Sequence, residues 1–271
     1  EGTLGIITAA VMKLFPRPKT SATALAGLPG LKAVLDLFKR IRDEAGDSLT
    51  GFEMMPRIAL EFAVRHIPGN SDPLSGPHAH YALIELTSPR ADEPLGEVLE
   101  RVLGEALETG DVEDAVLASN ETQREALWTL RESISEAQKH EGGSIKHDIS
   151  VPISRIGDFM ERATAMVETE IPGVRVCAFG HVGDGNIHFN LSQPAGADKD
   201  AFLGQWQRIN RRINELLAEM GGSISAEHGI GKLKRDQLAA FRPAVEIDMM
   251  RRIKQALDPD NIMNPGKVVE I

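Results

Sequence analysis

Two hydrophobic periods alternate along this 271-residue chain, one typical of strands and the other typical of helices. Runs rich in β-branched and other apolar residues predict strands at 4–15, 22–27, 48–54, 81–87, 115–118, 144–151, 174–180, 187–192 and 223–226. Apolar residues at helical spacing predict helices at 31–45, 56–66, 93–109, 121–140, 153–168, 199–220 and through most of 230–257. Because strands and helices interleave and include a clear hairpin, the pattern predicts an α+β fold with an antiparallel sheet covered by helices.

Composition and charge narrow the class of protein. The chain has 30 Lys+Arg against 40 Asp+Glu, and this net charge of −10 disfavours nucleic acid or an anionic membrane as the main partner. The single cysteine, Cys177, cannot form an intramolecular disulfide, so we expect a reducing, cytoplasmic compartment. No apolar run approaches the length of a membrane span. No Gly-x-Gly-x-x-Gly follows a predicted strand, so a Rossmann nucleotide site is unsupported.

The stretch from Gly180 to Asn190 carries the strongest chemical signal. His181 and His188 flank a Gly-Asp-Gly turn, one leaving a predicted strand and the other entering the next. Further along, another predicted strand ends in Glu227-His228 before a Gly-rich turn. Two histidines and one carboxylate form the ligand set of a catalytic metal with an open coordination position. We therefore predict His181, His188 and Glu227 as metal ligands.

His228 directly follows Glu227, and in extended backbone its side chain points away from that of Glu227. We therefore predict that His228 is a general base beside the metal, not a fourth ligand. The alternative is that these histidines are surface or satisfied core residues around a common turn. Four other histidines, in a Pro/Gly loop or near predicted helix C-termini, need no function: His66, His78, His80 and His140.

Cationic side chains upstream of the turn are candidate anion anchors. Arg131 and Ser135 lie one turn apart, beside the buried stripe of the predicted helix 121–140. Arg131 can either snorkel to the surface or point its guanidinium fork into a cleft and bind a carboxylate. Lys146 shares a face of the predicted strand 144–151 with Asp148. Its two interpretations are an ion pair with Asp148 and the binding of an anionic substrate.

Four motifs in the same order resemble the C-terminal portion of FAD-linked 2-hydroxy acid dehydrogenases, which are flavoproteins of the vanillyl-alcohol-oxidase type. The motifs are His181-x-Gly-Asp-Gly-Asn-x-His188, the segment Ala226 to Gly231, the pair Leu257 to Pro259 with Asn264 to Lys267, and the opening Glu1 to Thr8. The opening looks like the last flavin-contacting loop and strand of the FAD domain in that family. The segment Leu130 to Ser135, followed by Lys146, is most similar to the D-2-hydroxyglutarate dehydrogenase branch.

The resemblance implies a ferredoxin-like substrate and metal domain over residues 21–255. Residues 1–20 would finish the FAD domain and residues 256–271 would return to it, so we expect a piece of a longer protein that is inactive alone. FAD would be held mostly by residues upstream of this chain. The contacts expected from this chain are Glu1, Gly2, Thr3, Gly5, Ile6 and Asn264, although Asn264 can equally form only the C-terminal turn.

The resemblance also implies roles for the site residues. The metal would be zinc, held by His181, His188 and Glu227, and His228 would be the proton acceptor. In the similar branch an arginine, a serine or threonine, and a lysine bind the substrate carboxylates. The matching residues here are Arg131, Ser135 and Lys146. Asn190, at the end of the histidine motif, is a further substrate contact that the resemblance implies.

The implied activity is FAD-dependent, metal-assisted oxidation of a D-2-hydroxy acid, best matched by D-2-hydroxyglutarate, to the 2-oxo acid. D-lactate or glycolate needs one cationic anchor, so the presence of both Arg131 and Lys146 favours the dicarboxylate. Electron-transfer flavoprotein or a quinone is the expected acceptor, and a homodimer is left open. Outside this family, the alternatives are a hydrolase that uses the His₂Glu site to activate water and a metal-stabilised module without catalysis. An open coordination position argues against the second of these.

Overall fold

The computed structural model describes residues 1–271 and contains one eight-stranded antiparallel sheet with helices on both faces. The strands are β1 (Thr20–Leu28), β2 (Leu49–Pro56), β3 (His80–Ser88), β4 (Asp114–Leu117), β5 (Ser144–Ile145), β6 (Asp148–Ser150), β7 (Arg175–His181) and β8 (Asn186–Ser192). The helices are α1 (Leu31–Ala45), α2 (Arg57–His66), α3 (Leu95–Glu108), α4 (Glu121–Glu132), α5 (Ile134–Ala137), α6 (Ile156–Glu170), α7 (Lys199–Leu203), α8 (Trp206–Met220), α9 (Arg235–Phe241) and α10 (Ala244–Leu257). The predicted α+β class is confirmed. None of the helices combines the length and the hydropathy that a membrane crossing requires.

The sheet is built from two similar halves. In the first half, the chain order β1-α1-β2-α2-β3-α3-β4 gives the sheet order β4-β1-β3-β2, which is the ferredoxin-like arrangement with α2 inserted between β2 and β3. The second half runs β6-α6-β7-β8-α7-α8 and returns to the sheet at Ser223, which bridges to Ser150 of β6. The halves meet where β2 pairs with β7, over only two residue pairs, Glu53–His181 and Met54–Gly180.

Each face of the sheet has its own apolar core. Neighbouring residues such as Leu83 and Ile84 of β3 point to opposite faces, as the strand period requires. The larger core, of 42 buried residues, lies under α1, α3, α6 and α8 and spans both halves. The smaller core, of 15 residues, lies under α2, α4 and α5 and receives nothing from β8. The β8 residues on that second face are polar, and they are His188, Asn190 and Ser192.

The strand predicted at residues 4–15 is wrong. The segment pairs with no other strand, and its apolar side chains, Ile7 and Val11 among them, are exposed. A strand needs a neighbour to satisfy its backbone N–H and C=O groups, and this chain places none beside the segment. The predicted strand 223–226 is likewise reduced to the single bridge at Ser223.

Three predicted elements are broken where local backbone contacts change. The helix predicted at 121–140 ends at Glu132, and the side chain of Ser133 donates to the carbonyl of Thr129. The helix predicted at 199–220 is divided between α7 and α8. The strand predicted at 144–151 is divided into β5 and β6, while Ile145, Ile149 and Val151 keep the predicted alternation and point into the larger core.

His147 is buried, and its Nδ1–H donates to the carbonyl of Phe189 at 2.8 Å. Burial lowers the pKa of His147 to about 4. The folded chain therefore keeps this imidazole neutral at pH values where the unfolded chain protonates it. Stability is lost as the pH falls from the ordinary histidine pKa of about 6.5 towards about 4.

We expect the variant His147→Phe to lose less stability on acidification than the wild-type chain. The free energy of unfolding, measured by urea titration, should fall between pH 7.5 and pH 5 by about 2 kcal/mol more in the wild type. Each protein is compared with itself at the two pH values. The stability that the variant loses with its missing hydrogen bond is the same at both values and therefore cancels. An equal fall in both proteins would contradict the buried neutral imidazole.

Candidate functional site

His181 and His188 lie at the two ends of the turn that joins β7 to β8. A short 3₁₀ turn, Val182–Asp184, follows His181, and Gly185 then takes a left-handed φ of 75°. Backbone packs closely against this turn, since a Cβ built on Gly185 would lie 1.9 Å from the carbonyl oxygen of Val151. The turn therefore fixes the two imidazoles, whose ring centroids are 6.3 Å apart.

Glu227 completes the group from the loop that follows α8. Its Oε1 lies 3.4 Å from Nε2 of His181 and accepts a hydrogen bond of 2.5 Å from Nδ2 of Asn186. One possible ligand atom from each of His181, His188 and Glu227 lies within 4.8 Å of the others. Burial, and then the charge of Arg131, lower the pKa of His188, which favours the neutral imidazole that a metal requires. The structure thus brings together the three residues predicted as ligands.

Glu53 is a site residue that the sequence analysis missed. It lies on β2 directly opposite His181, and its side chain is 4% exposed. Nδ1 of His181 donates to its Oε1 at 2.5 Å, while Nε of Arg131 donates to its Oε2 at 2.9 Å and Nη2 of Arg131 lies 2.8 Å from the same oxygen in an ion pair. Burial disfavours the charged carboxylate, but the bond from His181 and the charge of Arg131 outweigh it and hold the pKa of Glu53 below its ordinary value. An acid within the apolar run Phe52-Glu53-Met54-Met55 was the available signal.

The contact with Glu53 settles how His181 is oriented. Its Nδ1 must carry the proton, because the partner is an ionised carboxylate, and Nε2 then faces Glu227 with a free lone pair. The hydrogen bond to Glu53 also raises the pKa of His181. A carboxylate behind a ligating imidazole is the usual support of a protein metal site.

Asp148 of β6 secures the loop that carries Glu227 and His228. Its Oδ2 accepts hydrogen bonds from the backbone N–H of Glu227 at 3.0 Å, the backbone N–H of His228 at 2.8 Å and the hydroxyl of Ser225 at 3.3 Å. Asp148 lies opposite His188 in the register of β6 with β8. Burial opposes its ionisation, but the two N–H donors outweigh it and keep the pKa of Asp148 low. Its carboxylate therefore positions the loop, and it also lies within reach of Glu227 and His228 in a second group of possible ligand atoms.

His228 lies beside the group of three. Its ring stacks on that of His188, with centroids 6.0 Å apart and an interplanar angle of 28°. The side chain is 68% exposed, and Nδ1 lies 3.8 Å from Oδ2 of Asp148. This is where a base adjacent to a metal is expected, and the catalytic role of His228 stays a prediction.

Of the two interpretations of Lys146, the ion pair with Asp148 is not formed, because Asp148 binds the backbone N–H groups of the Glu227 loop instead. Lys146 is exposed, and desolvation of its ammonium group, followed by the charge of Lys139, lowers its pKa. Ile145 and Ile149 point into the larger core, so Lys146 lies towards the other face of the sheet, where Arg131 packs against Phe179 of the smaller core.

Arg131 does not snorkel. It is buried, its guanidinium lies 4.7 Å from the centre of the Phe179 ring, and Nε and Nη2 are used by Glu53. Nη1 is the edge left for another acceptor. Asn190, two residues beyond His188 on β8, is buried and donates to Oε1 of Gln138 at 2.8 Å.

Ser135 is less well placed than the other predicted carboxylate contacts. It is exposed on α5, beyond the helix break that separates it from Arg131. Ser133 between them keeps helical backbone angles, so the one-turn offset of Ser135 from Arg131 is retained although the side chain of Ser135 is exposed. Its role as a substrate contact stays a prediction.

A cavity of about 650 Å³ opens beside the site, where β2 and β7 diverge beyond their two paired residues. Glu53, His181 and Glu227 lie on its wall. Arg131 and Lys146 do not line it, so this space reaches the three-residue group from one side only. Its size suits a small organic molecule.

The residues predicted to touch FAD gather where the two ends of the chain meet. The carboxylate of Glu1 accepts hydrogen bonds from the backbone N–H groups of Ile230 and Gly231, both at 2.7 Å. Asn264 donates its amide to the carbonyls of Glu1 and Gly2, at 2.9 and 3.2 Å. The first residues are thus attached to the loop that follows His228, and the amide of Asn264 is used in this contact.

The other residues predicted to contact FAD make fewer contacts within the chain. The carbonyl of Thr3 accepts a hydrogen bond of 2.7 Å from Nζ of Lys254, whereas Gly5 and Ile6 are exposed. Contact of this group with FAD and the boundaries of the terminal segments 1–20 and 256–271 stay predictions.

The pattern that describes the C-terminal domain of FAD linked oxidases matches residues 17–268. The chain belongs to this family. It is 35% identical to the D-2-hydroxyglutarate dehydrogenase of Stutzerimonas stutzeri, over 99% of this chain and 56% of that protein. It is 36% identical to the mitochondrial D-2-hydroxyglutarate dehydrogenase of Bos taurus, over 99% of this chain and 48% of that protein. The chain therefore spans about half the length of the curated relatives it matches.

Two solved structures share the fold at low sequence identity. A p-cresol methylhydroxylase with substrate bound superposes with a TM-score of 0.59 at 11% identity, covering 94% of this chain and 54% of that one. The 4-ethylphenol oxidase of Gulosibacter chungangensis gives the same TM-score at 16% identity, covering 95% of this chain and 55% of the other. These likenesses confirm the architecture predicted from the family resemblance.

We expect Gly185→Ala to destabilise the chain by about 2–4 kcal/mol, because the new Cβ meets backbone and the positive φ disfavours alanine. The matched control is Gly183→Ala in the same turn, which is exposed, has no heavy atom within 4 Å of the added Cβ and should change stability by less than about 1 kcal/mol. Urea titration of both variants checks this. Equal stability of the two variants would contradict the close packing at Gly185.

Proposed function

We propose that this chain is the substrate- and metal-binding part of an FAD-dependent dehydrogenase that oxidises a D-2-hydroxy acid to the 2-oxo acid, with D-2-hydroxyglutarate as the substrate. The observation that carries the proposal is the convergence of two imidazoles and a carboxylate beside the exposed imidazole of His228. The family membership and the names of the relatives support the flavin and the substrate class.

The residues present fit a divalent metal. His181 already has Nδ1 held by a carboxylate and Nε2 directed at Glu227, and His188 is biased towards its neutral form. His181, His188 and Glu227 would hold the ion, and a mixed nitrogen and oxygen set suits zinc. When bound, it supplies Lewis acidity that lowers the pKa of the substrate hydroxyl.

The residues near the start of the chain fit a contact with FAD and not a complete binding site. Glu1 is attached to Ile230 and Gly231, just after His228, so these residues stand beside the proposed reaction centre. FAD supplies the acceptor for the hydride that leaves C2 of the substrate.

The chain's own residues would then bind, orient and deprotonate the substrate. His228 takes the hydroxyl proton on a ring nitrogen, a role that suits an imidazole near neutral pH. Asp148 keeps His228 in place by accepting its backbone N–H. Nη1 of Arg131 and Nζ of Lys146 would hold carboxylate oxygens, and Ser135 and Asn190 would add hydrogen bonds.

Two cationic anchors on one face favour a dicarboxylate over D-lactate or glycolate. Arg131 packs against Phe179 of the smaller core, and its Nε and Nη2 face Glu53, so only Nη1 is left for the substrate. Family membership favours redox chemistry over the hydrolase alternative. Electron-transfer flavoprotein or a quinone as acceptor, a homodimer and a cytoplasmic location remain part of the proposal.

We expect D-2-hydroxyglutarate to bleach the flavin absorbance of the intact protein under anaerobic conditions. The bleaching should be lost after treatment with a zinc chelator and restored by added zinc, because the proposed ligands act on the substrate through the ion. D-lactate is the parallel substrate. Bleaching by D-lactate alone would contradict the dicarboxylate substrate, and an intact protein without flavin would contradict the dehydrogenase.

We expect Lys146→Ala to raise KM for D-2-hydroxyglutarate about 10- to 100-fold, because a hydrogen bond to a charged group contributes about 1.5–3 kcal/mol. The effect on D-lactate should be small. Steady-state kinetics on the intact protein measure both, and Lys139→Ala, a neighbouring exposed lysine paired with Glu136, is the matched control. Unchanged KM in the Lys146 variant would remove this residue from the substrate site.

A further inference from the structure

One buried carboxylate touches two residues with different proposed tasks. Oε1 of Glu53 accepts from Nδ1 of His181, while Oε2 accepts from Nε of Arg131 and is ion-paired with Nη2. The side chains of Glu53 and Arg131 are only 4% and 10% exposed, so their ion pair is largely shielded from bulk water. Each oxygen has its own partner, and neither contact has to be given up for the other.

The backbone fixes where this carboxylate lies. Glu53–His181 is one of only two residue pairs that join the halves of the sheet. Its neighbours Phe52 and Met54 point the opposite way and are buried in the larger core. Glu53 therefore cannot withdraw from His181 without disturbing the strand that joins the halves.

The two partners come from different layers of the molecule. His181 ends β7 in the sheet, whereas Arg131 lies at the last turn of α4 in the helical layer. Phe179 packs against the guanidinium, with its ring centre 4.7 Å away, and leaves the guanidinium edge directed at Glu53. The place of the arginine is thus determined by the same carboxylate that orients the histidine.

We infer that Glu53 is a positioning residue that holds the Nδ1–H form of His181 for metal binding and the guanidinium of Arg131 for substrate binding. The inference rests on the proposed function for the identity of the metal and of the carboxylate ligand. The orientation of His181 by Glu53 is a property of the metal-free chain, so it can be tested separately.

The double variant is chosen so that neither Glu53 nor Arg131 is left as an unpaired buried charge. Glu53→Leu alone would leave the guanidinium of Arg131 buried without its partner. This variant risks unfolding, because breaking a buried ion pair destabilises a protein by about 3–5 kcal/mol. The double variant Glu53→Leu with Arg131→Met removes the ion pair and keeps apolar volume. Arg131→Met alone is the matched control, since it leaves the contact between Glu53 and His181 intact.

The first measurement is the ring ¹⁵N spectrum of His181 in the metal-free chain. We expect the Nδ1–H tautomer in the wild type and in Arg131→Met, and mixed tautomers in the double variant, because only there is the acceptor at Nδ1 lost. A single Nδ1–H tautomer in all three proteins would overturn the inference, whether or not the chain binds zinc.

The second measurement is zinc affinity, by competition with a chromophoric chelator. The double variant should bind zinc about 10- to 100-fold more weakly than Arg131→Met, as is typical when the support behind a ligating histidine is removed. Equal affinities would overturn the role of Glu53 in metal binding. The wild-type chain can also show the expected tautomers and yet fail to bind zinc. That result would contradict the proposed metal site, and the role of Glu53 would then be limited to orienting His181 and Arg131.

Discussion

The short pairing of β2 with β7 is the constraint on which the rest of the site depends. Two residue pairs join the two ferredoxin-like halves, and one of them places a buried acid against a histidine. The bond between Glu53 and His181 is therefore both part of the sheet and part of the candidate metal site. Because the strands diverge on one side of this join, a cavity forms there with Glu227 on its wall. The two residue pairs that join the halves of the sheet therefore also fix the geometry of the candidate site.

The distribution of apolar residues explains why the chemistry lies on one face. The larger core covers the whole of one side of the sheet, whereas the smaller core stops at Phe179. Beyond that point the residues of this face are polar, and they include His188, Asn190 and Asp148. Buried acids then stabilise the arrangement: Asp148 holds the loop of Glu227 and His228 as Glu53 holds His181. Each acid stays ionised because N–H donors compensate for its burial.

The sequence predicted the metal group well because its signals are local. The Gly-Asp-Gly turn confines His181 and His188, and the Glu-His pair lies in its own glycine-flanked motif. The local hydrophobic pattern was less reliable where the structure depends on which segments or side chains pair with each other. Residues 4–15 have strand-like composition but no neighbouring strand, and Asp148 binds the Glu227 loop instead of Lys146. The period of hydrophobic residues does not encode which segments pair or which polar groups meet.

The sequence by itself determined the α+β class, the hairpin with its two histidines, and the family to which the chain belongs. Those features follow from hydrophobic period, turn-forming glycines and motifs that adjacent residues specify. Only the tertiary structure decided that Glu53 stands behind His181, that Asp148 anchors the Glu227 loop, and that Arg131 is paired inside the protein. These contacts join residues far apart in the chain, so strand register and burial select them, and no local pattern does.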